Sequence, residues 1–406
     1  MYPLFGTESS DVAIAAIHWR EADKECSALW HSERGAPPPK RVILADDTIT
    51  ADIAYRLACE GTTLLWRGDF HNATQLLQAM ARRADKTPAR KQRKTAKESS
   101  HAVSPADRFH QYRLVQSQRA RVLGSLLIPF NADRSIELRR APDVREACAQ
   151  AWGPVDAGAG RSVASLRELL GIVGAYEWRK TGVEIPALGA PPNNRIHPHY
   201  GVFSPVRGEY VDLVATAPLP RTGQEKVVAF DIGTGTGVLA AVLARRGVEH
   251  IVATDHDPRA LACARENFAR LGVAKQVEVT RADLFPEGRA SLVVCNPPWL
   301  PARPGSPIES AVYDEDSRML LGFLSGLAAH LVPHGEGWLI LSDFAEHLGL
   351  RSRADLLVAF ERSGLKVVDR IDARPRHPKA ADASDPLHDA RAAEVTSLWR
   401  LAAVPV

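Results

Sequence analysis

The sequence predicts an α/β fold for residues 176–406, a mostly parallel sheet, preceded by a mainly helical section over residues 1–175. Three observations carry this expectation. From Lys226 onward, short β-branched runs alternate with Ala- and Leu-rich stretches, the pattern of a sheet covered on both faces. The first such run ends in a glycine-rich turn that opens a helical stretch. Before Met80, by contrast, apolar residues recur at helical spacing.

The N-terminal part is read in order. Asp11 to Leu29 and Thr48 to Glu60 carry helical spacing, and "HNATQLLQAMARRA" continues it. Residues 82–108 lack large apolar side chains and read as a flexible basic loop. "RVLGSLLIPF" and the helix candidate "SVASLRELLGIVGAYEWRK" complete this section, and "LLWRGDFHNA" is a polar knot with no assigned role. The strands expected next are Val227–Ile232, His250–Thr254, Gln276–Thr280, Ser291–Cys295, Gly337–Ser342, Leu365–Ile371 and Val395–Leu401. Helices are expected between most of them, among them Val238–Arg246 and Pro258–Leu271, and a long loop before the last strand.

Composition narrows the class. The chain has 406 residues, 45% hydrophobic and 24% charged, ordinary values for a globular protein of two or three domains. No apolar run approaches a membrane span, and the start has neither a basic nor an apolar leader region, so neither membrane nor secretory signal is expected. Five widely spaced cysteines argue against a zinc site or disulfide framework and for a reducing, cytoplasmic setting. Net charge is +3, yet Arg82 to Arg140 hold 15 Lys or Arg against 5 Asp or Glu. A basic segment over 82–140 on an otherwise acidic chain fits a polyanionic partner, RNA or DNA, or a solvated linker.

Two motifs carry chemistry. In "VVAFDIGTGTGVLAAVLARRG", Gly233, Gly235 and Gly237 allow a tight turn and close backbone approach to a ligand. The helix that follows points N–H groups at the same space. Asp255 ends the second strand, where a carboxylate can accept from ribose hydroxyls. A dinucleotide turn would need glycine at position 238, where Val238 stands. The second motif is Asn296-Pro297-Pro298-Trp299, at the carboxyl end of the fourth strand. A planar amide or amine nitrogen is a weak nucleophile. Two acceptors on its hydrogens, Asn296 Oδ1 and the Pro297 carbonyl, favour pyramidalisation and aim its lone pair. The prolines stiffen the acceptors, and Trp299 offers a face for stacking. Catalysis would come from orientation and electrostatics.

The first motif, D-x-G-x-G-x-G from Asp231, resembles motif I of class I S-adenosylmethionine-dependent methyltransferases. The second resembles the [DN]-P-P-[FYW] motif of those that act on planar nitrogen. The upstream "HPHYGVFSPVRGEYVDLVA" is similar to the release-factor glutamine methyltransferases and the small-domain rRNA guanine methyltransferases. The resemblance covers Tyr176 to Trp399 and implies a seven-stranded, Rossmann-like sheet of order 3-2-1-4-5-7-6. It implies S-adenosyl-L-methionine as cofactor, held by Asp231, Gly233, Thr234, Gly235, Gly237, Asp255, Asp283, Leu284, Asn296 and Phe203. Pro205 and Arg207 would lie near the cofactor's methionine end. The catalytic set is Asn296, Pro297, Pro298 and Trp299, without a metal.

Substrate readings at this level are a nucleobase amine in RNA or DNA, a glutamine amide in a translation protein, and a small metabolite. A cofactor-binding protein without catalysis is the alternative class. In the release-factor glutamine methyltransferases the position of Trp299 usually carries Tyr. Two features stay open: "YDEDSRMLLGFL" is read as a helix capped by Asp316 or as a substrate loop, and His377 and His388 as solvated.

Overall fold

The computed structural model describes residues 15–95, 103–156, 158, 160–223, 227–305, 307–376 and 382–405. The chain forms two compact units. One holds residues up to Lys97 together with Gln118–Val173, and the other holds Glu98–Ser117 and Gly174–Val406.

In the first unit the elements are β1 (Ala16–Glu21), β2 (Lys24–His31), β3 (Val42–Ala45), α1 (Ala51–Cys59), β4 (Thr63–Trp66), α2 (Phe70–Thr95), α3 (Pro105–Leu123), β5 (Leu126–Phe130), α4 (Arg145–Trp152), β6 (Ser162–Ser165) and α5 (Leu166–Thr181). The first two thirds of α3, through Ser117, and the last half of α5 belong to the second unit. The strands form a mixed sheet of order β1-β2-β6-β5-β4-β3, in which β3, β4 and β5 run parallel.

The expected mainly helical section is therefore corrected to a six-stranded sheet with helices. Asp11 to Leu29 is the clearest case, since its described part forms a hairpin. Ala22 and Asp23 take positive φ (46° and 61°), the two-residue turn whose twist suits antiparallel strands. Alternation then puts Ile17 and Ala28 against Leu65, Leu127 and Val163, with Trp19 and Trp30 beside them. A period of two satisfies these side chains better than 3.6. The four residues of β4 are buried on both faces, and so short an apolar run has no readable period. Thr50 caps α1 through Ile53 N, as helical spacing over Thr48–Glu60 predicts.

The loop expected over 82–108 is also corrected. Helix α2 continues through Thr95 and α3 starts at Pro105, while residues 96–102 lie outside the described residues. Ala, Arg, Lys and Gln are good helix formers, so missing apolar bulk rules out a core-facing stripe but not a helix.

In the second unit a small ladder, β7 (Val183–Glu184) with β8 (Arg195–Ile196), precedes α6 (Glu209–Thr216). Then follow β9 (Val228–Ile232), α7 (Val238–Arg245), β10 (His250–Asp255), α8 (Pro258–Leu271), β11 (Val277–Arg281) and β12 (Ala290–Cys295). The last elements are α9 (Arg318–His330), β13 (Leu331–Ser342), α10 (Phe344–His347), α11 (Arg353–Arg362), β14 (Leu365–Ala373), α12 (His388–Ala393) and β15 (Thr396–Ala403).

Their sheet has the order β11-β10-β9-β12-β13-β15-β14. Strands β9 to β13 pair in parallel, and β15 runs antiparallel between β13 and β14. Helices α6, α7 and α8 pack on one face around Ala240, Leu243 and Trp338. Helices α9 and α11 pack on the other around Phe323, Leu327 and Phe360. Strand β12 is buried at every position, as a central parallel strand requires. The loop expected before the last strand contains α12, and His377 lies outside the described residues.

Candidate active site

Strand β9 ends beneath the glycine turn, and the three glycines differ in what they face. Their φ values are +71° at Gly233, +55° at Gly235 and +83° at Gly237, all in the left-handed region. A Cβ on Gly237 would sit 2.6 Å from the Phe268 ring, so this glycine lets α7 start close against α8. On Gly233 it would sit 2.5 Å from Met319 Cε. On Gly235 it would meet nothing within 4 Å. Gly235 is the open member of the turn.

Two acids hold the turn in different ways. Asp231 is 1% exposed and lies under it, its Oδ2 accepting from Thr234 Oγ1 (2.7 Å) and Ala240 N (3.1 Å). Burial pushes its carboxyl up to about 6, against the lowering hydrogen bonds from Thr234 and Ala240. Asp231 and Thr234, expected at the cofactor, are thus partners of each other beneath the loop. Asp255 accepts from Gly235 N through Oδ2 (3.0 Å) and from Asp257 N through Oδ1 (3.0 Å). Each of its oxygens keeps a lone pair for a ligand hydroxyl.

The adenine-side residues expected from the resemblance separate. Asp283 is exposed, 3.7 Å from Arg318 Nη2. Leu284 adopts φ +81°, and its carbonyl accepts from Thr254 Oγ1 at 2.6 Å. Gly322 and Gly326, one turn apart on α9, receive Leu284 Cδ1 and the Phe285 ring at 2.7 and 2.5 Å from where a Cβ would stand. The Phe285 ring is stacked between Phe323 and His330, with centroids 5.8 and 4.3 Å away. This glycine pair was readable as G-x-x-x-G in the sequence but carries no meaning until its partners are known.

At the end of β12, Asn296 is half-buried, Pro297 buried, and Pro298 and Trp299 half-buried. Trp299 Nε1 donates to Asn296 Oδ1 at 2.9 Å. The acceptor assigned to the substrate is therefore already oriented by the indole, with one lone pair engaged and one left. The Arg207 guanidinium lies 5.2 Å from the Trp299 ring centre. Its Nε reaches Glu209 Oε1 (3.1 Å) and its Nη2 reaches Glu394 Oε1 (3.1 Å) and Oε2 (3.2 Å). Glu209 and Glu394 were not singled out from sequence, since Glu394 lies 187 residues from Arg207.

After Trp299 the chain is framed by Leu300 N to Val312 O (3.1 Å) and Asp314 N to Leu300 O (2.8 Å). The Arg113 guanidinium sits 4.0 Å over Tyr313. Asp314, rather than the expected Asp316, caps α9, accepting from Met319 N (3.0 Å) and Leu320 N (3.1 Å). Asp316 and Ser317 both take positive φ (56° and 54°).

Upstream, the "HPHYG" segment is pinned to α8. His197 N donates to Asn267 Oδ1 (2.8 Å), and His199 Nε2 lies 2.7 Å from Glu266 Oε2. Burial raises the Glu266 carboxyl, but hydrogen bonds from Arg270, His199 and Arg179 outweigh it and hold it at about 2. Phe203 is 37% exposed on the stretch that leads to Arg207. Among the described residues no group of three His, Cys, Asp or Glu could hold a metal. None of their helices is long and apolar enough to cross a membrane.

The space at Gly235, the N-terminus of α7 and the two open lone pairs of Asp255 fit a nucleoside cofactor. Comparison with known proteins agrees. The family model for ribosomal protein L11 methyltransferase (PrmA) matches residues 217–297, which include the turn, Asp255 and Asn296-Pro297. A release factor glutamine methyltransferase of Cereibacter sphaeroides is 34% identical over 161 residues, 36% of this chain and 56% of that protein. A ribosomal protein L11 methyltransferase of Pelotomaculum thermopropionicum is 49% identical over 69 residues, 16% of this chain and 22% of that protein. The chain thus spans about half the length of the first relative and about a fifth of the second. A solved L11 methylase from Lactobacillus delbrueckii overlays with a TM-score of 0.35 at 16% identity, covering 53% of this chain and 90% of that one, too loosely to bear on the site. The glycine turn, its acid and the Asn-Pro-Pro edge thus lie in a segment that is similar to class I S-adenosylmethionine-dependent methyltransferases, whose cofactor is S-adenosylmethionine.

Proposed function

We propose that the chain methylates the side-chain amide nitrogen of a glutamine in a protein of the translation machinery, with residues 176–406 as the catalytic domain and the first unit in substrate recognition. The observation that supports this most is Asn296, whose Oδ1 is fixed by Trp299 Nε1 at the carboxyl edge of β12. The 34% identity to a release factor glutamine methyltransferase supports the amide as target.

Gly233, Gly235 and Asp255 would hold the cofactor, which supplies an electrophilic methyl group on sulfur. Asn296 Oδ1, through its remaining lone pair, and the Pro297 carbonyl accept the two amide hydrogens of the substrate. The nitrogen lone pair is then less delocalised and directed away from both acceptors. Held in this way, the nitrogen would take the methyl carbon as its bond to the cofactor's sulfur breaks and the electron pair returns to that sulfur, and one amide proton would leave to water. Trp299 supports the flat amide on its face.

A nucleic-acid substrate draws its support from the basic 82–140 segment. Several of those arginines have partners within the protein. Arg83 pairs with Asp52, Arg119 with Asp85, Arg139 and Arg140 with Asp69, and Arg113 with Glu309. That leaves less charge for phosphates, which favours the protein reading. Transfer of tritiated methyl into lysate of a deletion strain, then fractionation, tests it. Label is expected in protein, released on hydrolysis as methylamine from a methylated amide. Label in RNA or DNA would contradict it.

A further inference from the structure

The strongest unexplained arrangement beside the site is the buried acid pair that surrounds Arg207. Glu209 is 3% exposed and Glu394 1%, and two carboxylates so deeply buried need a cation. Arg207 supplies it with three hydrogen bonds of 3.1 to 3.2 Å, and Ser342 Oγ donates a further one to Glu394 at 2.7 Å. The guanidinium plane is therefore fixed by groups from α6 and from the turn before β15. It stands 5.2 Å from the Trp299 ring centre, within range of a cation–π contact. Trp299 in turn donates from Nε1 to Asn296 Oδ1. The groups form one continuous line: two buried acids, Arg207, the indole, the Asn296 amide.

We propose that Arg207 is a positioning residue for methyl transfer, which sets the plane of Trp299 and through its N–H the orientation of the Asn296 acceptor. This rests on the proposed amide chemistry. Its consequence concerns substrate charge. A cation on one face of the indole withdraws electron density from the other, so a group stacked there is favoured as a neutral planar amide and disfavoured as a guanidinium or ammonium. The Arg207–Glu209–Glu394 group also explains why the ring need not be held by packing alone: Trp299 is only partly buried.

The test uses the full-length chain and the variants Trp299→Phe, Arg207→Met and Arg207→Lys. Trp299→Phe keeps a stacking ring but removes the N–H donor, and turnover is expected to fall about tenfold with cofactor affinity within twofold. In the Arg207→Met background the same change should cost less than twofold, since the donor is already misplaced. Full tenfold losses that multiply in the double variant overturn the proposal. A second readout needs no activity. The Trp299 indole ¹⁵N–H signal, identified by its loss in Trp299→Phe, should shift and exchange faster in Arg207→Met, and recover only in part in Arg207→Lys, which cannot present a planar fork. The other seven indole signals should stay in place, which a general loss of structure would not allow. An unmoved Trp299 signal overturns the proposal. Wild-type chain that transfers no methyl to amides removes the glutamine reading, while the indole signal still decides the role of Arg207.

Discussion

Both units end a set of parallel strands in a polar edge with a buried aspartate and a glycine, yet the two edges differ in what they leave open. After β9, Gly235 faces space, and Asp255 keeps lone pairs for a ligand. After β4, a Cβ on Gly68 would lie 2.6 Å from Asp47 Oδ1 and 2.8 Å from Asp47 N. Asp69 beside it is already engaged by Arg139 Nε and Arg140 Nε, both at 2.7 Å, and by His71 N at 2.9 Å. One edge is open and the other is filled by its own side chains. A parallel sheet edge is thus a place where a ligand can bind; whether it does depends on a few residues that either close it or leave it clear.

The largest expected effect lies at the open edge. Asn296→Ala should lower turnover by roughly 10²–10³-fold and leave cofactor affinity unchanged, as loss of one oriented group in a catalytic site does. Equal losses in cofactor binding and turnover would show Asn296 to be a cofactor ligand instead.

Next come the glycines, which separate the edges. Gly237→Ala meets the Phe268 ring at positive φ and should cost about 2 kcal/mol or more of unfolding free energy. Gly235→Ala meets no atom and should cost about 1 kcal/mol through backbone strain, with a clear loss of cofactor affinity. Gly68→Ala should lower stability and leave cofactor affinity intact. Denaturant melts with calorimetric titration of S-adenosylhomocysteine distinguish the three.

The two buried aspartates should respond to pH in opposite senses. Asp231 binds its proton more tightly folded, at about 6, than unfolded, near the model-peptide 3.9. Relative to Asp231→Asn, wild-type stability should fall as pH rises from about 4 to about 6, by on the order of 2–3 kcal/mol. The Arg140 hydrogen bond, helped by Arg139 and His71 N, holds Asp69 down to about 2. Relative to Asp69→Asn, wild-type stability should instead be fully present above about 4 and fall as pH drops towards 2. Melting temperature against pH for the two pairs checks both signs.

The smallest effect concerns the cap of α9. Asp314→Ala should cost about 1 kcal/mol and Asp316→Ala much less, because Asp314 carries both cap bonds.

The legibility of the two edges in the sequence differs for the same reason. Gly233 to Gly237, Asp255 and Asn296 to Trp299 are short-range patterns, in which spacing along the chain fixes the backbone that performs the role. Their strands are short β-branched runs bounded by turns, and β9, β12 and β15 fall within a residue of the expected ranges at most ends. The first unit offers no such pattern. Its hairpin shares apolar residues with a helical reading, and the partners of Asp69 lie 70 and 71 residues further on. Long-range pairing also hid Glu394 from Arg207. The Trp299–Asn296 bond is local but depends on two rotamers, which no spacing reveals.

The most direct measurement of the central claim is the stoichiometry and location of cofactor binding on the full chain, by calorimetric titration of S-adenosylhomocysteine into wild type, Asp255→Ala and Arg139→Ala. The expected result is one site per chain, lost in Asp255→Ala and unchanged in Arg139→Ala. Two sites per chain, or binding that survives Asp255→Ala and falls in Arg139→Ala, would contradict the assignment of the open edge.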